Sequence, residues 1–265
     1  MKSSLSRGER LPASDAVVTT APSGDPAEAQ ELAQRFGLRV EPREGRTLEQ
    51  LLKHANPVLI LAARRADLYE HGGAYRATVG MAFLRVLRAR KGEMDPLVAH
   101  AALRPGDSVL DATLGLGGDA LVAAHATGAP VVGLEKDPVI AAFTQAALRR
   151  LPKHGRDPGR LVHVVRADHR AWLEDQAARS FDVVLLDPMF RRAADSGPLF
   201  ELLRAHAEHA PLEIETLHHA QRVARRGVLV KDAARGNELQ RLGLTPKPTR
   251  RSAAIAFGWA PAIQR

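Results

Sequence analysis

The sequence contains no cysteine in 265 residues. That excludes disulfides, thiolate metal sites and a cysteine nucleophile, and it agrees with a reducing compartment. Aromatic residues make up only 4%. No apolar run approaches the roughly 20 residues that cross a bilayer. The opening Met1-Lys-Ser-Ser-Leu-Ser-Arg-Gly-Glu-Arg10 has no apolar stretch of the kind that begins a secretory signal. Together these absences lead us to expect a cytoplasmic protein with no membrane partner. Apolar residues, by contrast, reach 45%, enough for a real core, and 38 lysines and arginines against 30 acids give a net charge of +8. Such a balance favours a polyanionic partner, RNA, because cations displace counterions from a phosphate backbone. An arginine-rich composition without a binding purpose would look the same.

Residues 1–14 are polar and aperiodic and read as a disordered tail. Residues 15–93 read as a small α/β unit, with strands at 17–20, 38–40 and 58–61 and helices at 26–36 and 47–54. A Gly72-Gly73 turn and an arginine-bearing helix over 77–90 follow. From 94 to 265 short apolar strands alternate with helices. The strands are expected at 108–111, 131–134, 161–165, 182–186, 227–230 and 253–257, and the helices at 118–126, 138–151, 170–178, 198–208, 213–223 and 237–242. This alternation predicts an α/β fold, a doubly wound Rossmann-like sheet covered by helices on both faces.

In such sheets ligands lie beyond the carboxyl ends of the strands. Four strands in succession end in an acid: Asp111, Glu135, Asp168 and Asp187. After Asp111 comes Gly115-Leu-Gly117-Gly118-Asp119, a turn that brings backbone close to a ligand and aims helix N–H groups at it. Glu135 stands 20 residues after Gly115, the spacing at which a second-strand acid accepts both hydroxyls of an adenosine ribose. Asp168 is then placed for the adenine amine. The same glycines also read, through Ala120, as the dinucleotide fingerprint of an NAD(P)-dependent oxidoreductase, and that alternative stays open on the glycines alone. An acid at 111 argues the other way: a pyrophosphate wants no carboxylate nearby, whereas an ammonium on the sulfonium side of a ligand does.

Asp187-Pro188-Met189-Phe190 closes an apolar strand. Proline removes a donor and can leave neighbouring carbonyls to accept from a substrate amine, and Phe190 offers a flat face for a planar base. Arg191, Arg192 and Lys231 are candidate phosphate contacts; the run Arg222, Arg225, Arg226 reads more simply as a solvated face. Histidines 206, 209, 218 and 219 raise the question of a metal, but no thiolate or consistent carboxylate partner is evident beside them, so none is expected.

The segments Asp111-Ala-Thr-Leu-Gly-Leu-Gly-Gly-Asp-Ala120, Glu135-Lys-Asp-Pro-Val139 and Leu186-Asp-Pro-Met-Phe190 resemble the class I methyltransferases typified by the bacterial small-subunit ribosomal RNA guanine-N2 methyltransferase. Val17-Val-Thr-Thr20 and Tyr69 to Pro96 look like less characterised members of that family. The resemblance implies S-adenosyl-L-methionine as cofactor and a seven-stranded sheet. It places Gly118, Asp119, Glu135, Lys136, Asp168, His169 and Asp187 at cofactor contacts. The typified enzyme carries arginine where this chain has Gly118, and two small hydroxyl residues where it has Asp168-His169. A methyltransferase-fold RNA-binding protein without activity is a further alternative.

Overall fold

The computed structural model describes residues 15–70, 73–152, 157–188, 197–206, 210–248 and 254–263. The expected tail, Gly72, Met189, Phe190, Arg191, Arg192 and His209 lie outside them.

The chain begins with β1 (Val17–Thr20), α1 (Pro26–Phe36), β2 (Arg39–Val40), α2 (Leu48–Leu52), β3 (Val58–Leu61), β4 (Ala66–Glu70), β5 (Gly73–Arg76) and α3 (Met81–Arg90). Helix α1 starts where the Asp25 carboxylate accepts from Ala27 N at 2.9 Å and Pro26 supplies a preset φ; Gly37, at φ 71°, ends it. Its apolar residues recur at helical spacing, so Ala29, Leu32, Ala33 and Phe36 share the buried face. The strands form a sheet ordered β2-β1-β3-β4-β5, parallel through β3 and antiparallel beyond it. Strands β4 and β5 were not expected. Asp67 interrupts β4, but its carboxylate is held by Arg65 at 3.2 Å and Arg76 at 3.0 Å, which lets a charge sit inside the hairpin.

The second sheet carries α4 (Pro96–Ala101), β6 (Val109–Asp111), α5 (Gly118–Thr127), β7 (Val131–Glu135), α6 (Pro138–Arg149), β8 (Val162–Arg166), α7 (His169–Asp175) and β9 (Phe181–Leu186). There follow α8 (Pro198–His206), α9 (Ile214–Val223), β10 (Ala224–Ala233), α10 (Glu238–Arg241), β11 (Lys247–Pro248) and β12 (Ile255–Pro261). The order is β11-β12-β10-β9-β6-β7-β8, seven strands, with β12 antiparallel to both neighbours. An antiparallel last strand beside 227–230 separates a methyltransferase order from a dehydrogenase one. Strand β10 runs on to Ala233, past Lys231 and Asp232, because Asp232 is satisfied by the N–H groups of Glu238 at 2.9 Å and Leu239 at 3.3 Å.

One apolar core joins the two sheets: Leu32, Phe36 and Leu59 belong to the same cluster as Phe143 and Val164. Arginines seal the seam. Arg150 reaches Glu28 at 2.9 and 2.8 Å and the Ala62 carbonyl at 3.0 and 2.9 Å. Arg35 donates to the Val164 carbonyl at 2.6 Å and Arg166 to that of Phe36 at 3.0 Å. Arg222 donates to the Leu173 and Glu174 carbonyls at 2.7 and 2.9 Å, Arg225 pairs with Asp182 at 3.2 Å, and Arg226 pairs with Asp107. All three therefore serve as anchors around the start of β10, away from the ends of the strands where the acids gather. Among the described residues no helix is long and apolar enough to cross a membrane.

Candidate active site

The carboxyl ends of β6, β7, β8 and β9 bring the four acids to one edge of the sheet. Between β6 and α5 the chain turns at Gly115 (φ 51°) and Gly117 (φ 74°), a region of φ that a Cβ disfavours. A Cβ on Gly117 would also stand 3.1 Å from Thr144 Cγ2. The turn is pinned from both sides: Gly115 N donates to Glu135 Oε2 at 3.1 Å, and the Thr144 hydroxyl donates to the Gly115 carbonyl at 2.7 Å. Gly118, the first residue of α5, lies against Ala82 of α3, whose Cβ would be 3.5 Å from its own. That is ordinary packing distance, so the position faces the N-terminal unit.

Glu135 also accepts from Asp137 N at 2.9 Å, so both of its oxygens touch backbone. Burial pushes its carboxyl up to about 7 against those hydrogen bonds. Asp168 caps α7, accepting from Arg170 N at 3.0 Å, and Lys136 reaches it at 2.9 Å. Burial works against its charged form, but the hydrogen bonds from Arg170 and Lys136 hold it below the ordinary carboxylate range. His169 begins α7, its Nδ1 4.0 Å from the same carboxylate.

Asp111, Asp119 and Asp187 converge with Lys231. The Lys231 ammonium lies 3.0 Å from Asp119 Oδ2 and 2.5 Å from Asp187 Oδ2, and only 18% of its side chain is exposed. This differs from the phosphate contact expected for it, since the ammonium is committed to two carboxylates inside the site. Asp187 N in turn donates to the Thr113 hydroxyl at 2.6 Å, which fixes the backbone just before Pro188. Burial, reinforced by the Asp119 charge, raises Asp111 to about 8. Burial opposes the charged form of Asp119 too, but Lys231 and Arg85 hold its carboxyl low. Burial raises Asp187 and Lys231 pulls it back.

Arg85 and Asp95 were absent from the sequence reading. Arg85, on α3, makes two bonds to Asp95, at 2.8 and 2.9 Å, and a third to Asp119 at 2.6 Å. The only local clue was Asp95 before Pro96, a helix cap. His206 was named only as a possible metal ligand, and its actual partners are two carboxylates. Its Nδ1 lies 3.0 Å from Asp137 Oδ2 and its Nε2 2.9 Å from Glu70 Oε2, so the expectation that no carboxylate partners it is corrected. Burial opposes its protonation, but the two hydrogen bonds win and raise it to about 9. Through this contact α8 lies across the glycine turn, with Leu203 3.8 Å from where a Gly115 Cβ would stand. Among the described residues no group of three metal-ligating side chains has the arrangement of a metal site.

The protein matches the family model described as "Putative SAM-dependent methyltransferase" over residues 31–250. It is 34% identical over 224 residues to ribosomal RNA small subunit methyltransferase J of Halorhodospira halophila, covering 78% of this chain and 79% of that protein. It is 30% identical over 242 residues to the uncharacterized Bacillus subtilis protein YpiP, covering 87% and 92%. The crystal structure of a SAM-dependent methyltransferase from Neisseria gonorrhoeae shares the fold, with a TM-score of 0.61 at 22% identity over 93% of this chain and 96% of that one. The chain belongs to the SAM-dependent methyltransferase family, and S-adenosylmethionine is its cofactor.

Proposed function

We propose that the protein methylates an exocyclic amine of a base in small-subunit ribosomal RNA, the N2 amine of a guanine, with Asp187 as the group that receives the amine. The observation that carries this reading is the placement of Asp187 at the end of β9, in one cluster with Asp111 and Asp119 beside the glycine turn. The substrate class rests on the relatives named ribosomal RNA small subunit methyltransferase J.

The donor set fits the cofactor. Asp111, Asp119 and Asp187 share one cluster with two cations, Lys231 and Arg85, and burial together with the Asp119 charge holds Asp111 up to about 8; a cation brought to the cluster would favour its ionised form, which suits a ligand bearing an ammonium and a sulfonium. Gly115, Gly117, Gly118 and Asp119 would border its methionine part, Glu135 its ribose hydroxyls, and Lys136, Asp168 and His169 its adenine. When bound, S-adenosylmethionine would supply an electrophilic methyl group for the amine nitrogen, the carbon–sulfur electron pair staying on sulfur. The residues of the chain position and take protons. The Asp187 carboxylate accepts a hydrogen bond from the amine, directs its lone pair and receives the proton it sheds. Pro188 follows with no N–H to compete for that carboxylate. Phe190, Arg191 and Arg192 lie outside the described residues, and their part here rests on the sequence alone: an aromatic face suited to stacking on a base and guanidinium groups suited to phosphate.

Incubation of the protein with S-adenosylmethionine and small-subunit ribosomal RNA, followed by nucleoside mass spectrometry, should yield N2-methylguanosine. Asp187→Asn should abolish that product while still binding S-adenosylhomocysteine measurably in calorimetry. Full turnover by the variant would remove Asp187 from this role, and RNA binding without cofactor heat would point to an inactive RNA-binding protein.

A further inference from the structure

Lys231 has no counterpart in the needs of methyl transfer. Its ammonium is largely withdrawn from solvent, and such burial is tolerated only when the charge is compensated. Two of its three donors are spent, on Asp119 at 3.0 Å and on Asp187 at 2.5 Å. Asp119 is gripped from the far side by Arg85 at 2.6 Å, and Arg85 by Asp95, the cap of α4. Charges of alternating sign therefore run from α3 and the start of α4 through α5 and β10 to the end of β9, and each lies against opposite neighbours.

We propose that Lys231 is a positioning residue for the transfer: it holds Oδ2 of Asp187, favours the charged form of that carboxyl, and so leaves Oδ1 to take the proton of the target amine. The proposal rests on the methyltransferase reading of the site. Among the described residues, the groups that face Asp187 are Asp111 on β6, Asp119 on α5, Lys231 on β10 and, one layer further out, Arg85 on α3. Two of the four are acids that disfavour a third negative charge. Burial disfavours it as well. Lys231 is the cation in direct contact, and Arg85 acts across Asp119. Removing Lys231 leaves Asp119 paired with Arg85, so the loss falls chiefly on Asp187.

Lys231→Met and Lys231→Arg test this on the full chain. An opposite charge at this range lowers a carboxyl by about 1–3 pH units, so its loss should move the acid limb of the kcat/KM profile up by about one unit or more. Turnover by Lys231→Met should then fall roughly tenfold or more at the acid end of the profile and recover to within a few-fold towards its alkaline end. Lys231→Arg should keep the wild-type midpoint. A second readout does not involve turnover: the Asp187 carboxyl carbon, identified by its absence from the NMR spectrum of Asp187→Asn, should titrate at higher pH in cofactor-free Lys231→Met. An unmoved carboxyl midpoint, or an equal loss of rate at every pH, overturns the proposal. Failure of the wild-type protein to bind S-adenosylhomocysteine in calorimetry would instead overturn the methyltransferase reading beneath it.

Discussion

His206 links three parts of the chain, α8, the cap of α6 and the β4–β5 hairpin, and it does so with a proton. Replacing it with glutamine keeps a polar side chain of similar reach and removes the charge. The wild-type imidazolium is raised from 6.5 to about 9 by its bonds to Asp137 and Glu70, with only 12% of its side chain exposed. At about 1.36 kcal/mol per pH unit that difference amounts to roughly 3 kcal/mol of folding free energy. The folded state holds this proton more tightly than the unfolded chain. The contribution is therefore complete below pH 6.5 and disappears as pH rises through about 9. Urea unfolding of wild type and His206→Gln from pH 6 to pH 10 should show the stability gap narrowing by roughly 3 kcal/mol across that window. In thermal melts the narrowing corresponds to roughly 6–12 °C for a chain of this size. A gap that stays constant, or widens with pH, would refute the charged-clasp account and leave His206 as packing alone.

Glu135→Ala should weaken S-adenosylhomocysteine binding by about 2 kcal/mol, roughly thirtyfold, since it removes the carboxyl acceptor proposed for the ribose and frees Gly115 N; calorimetry measures it, and an unchanged Kd would place the ribose elsewhere. Arg150→Met should cost about 3 kcal/mol in denaturant unfolding, because a 7%-exposed guanidinium is removed from Glu28 and the Ala62 carbonyl at once. A loss under about 1 kcal/mol would mean the apolar core alone joins the two sheets.

The alternation after residue 94 was readable because β6, β7, β8 and β9 are short apolar runs, and each ends in an acid or is followed closely by one. The strand order sets Asp111, Glu135, Asp168 and Asp187 along one edge of the sheet. The hairpin at 66–76 was hidden because Asp67 breaks the apolar pattern, and the arginines that neutralise it stand outside the strand or across the pair. Arg85, Asp119 and Lys231 lie far apart in the chain, and only folding brings them together. One signal was available: Lys231 follows the apolar run Val228-Leu-Val230, and a cation at the end of a buried strand must find an acid. His206 gave no such hint, since neither Glu70 nor Asp137 is near it in sequence.

The bond from Arg35 to the Val164 carbonyl bears on what the edge of the sheet offers to another strand. Strand β8 is the last of its sheet, and an open edge offers unpaired carbonyls and N–H groups to any passing strand. Here a guanidinium from α1 occupies one of those acceptors, and Arg166 returns a bond from the same strand to the end of α1. The N-terminal unit thus guards this edge of the sheet: a helix of the same chain takes up an acceptor that another strand would otherwise seek.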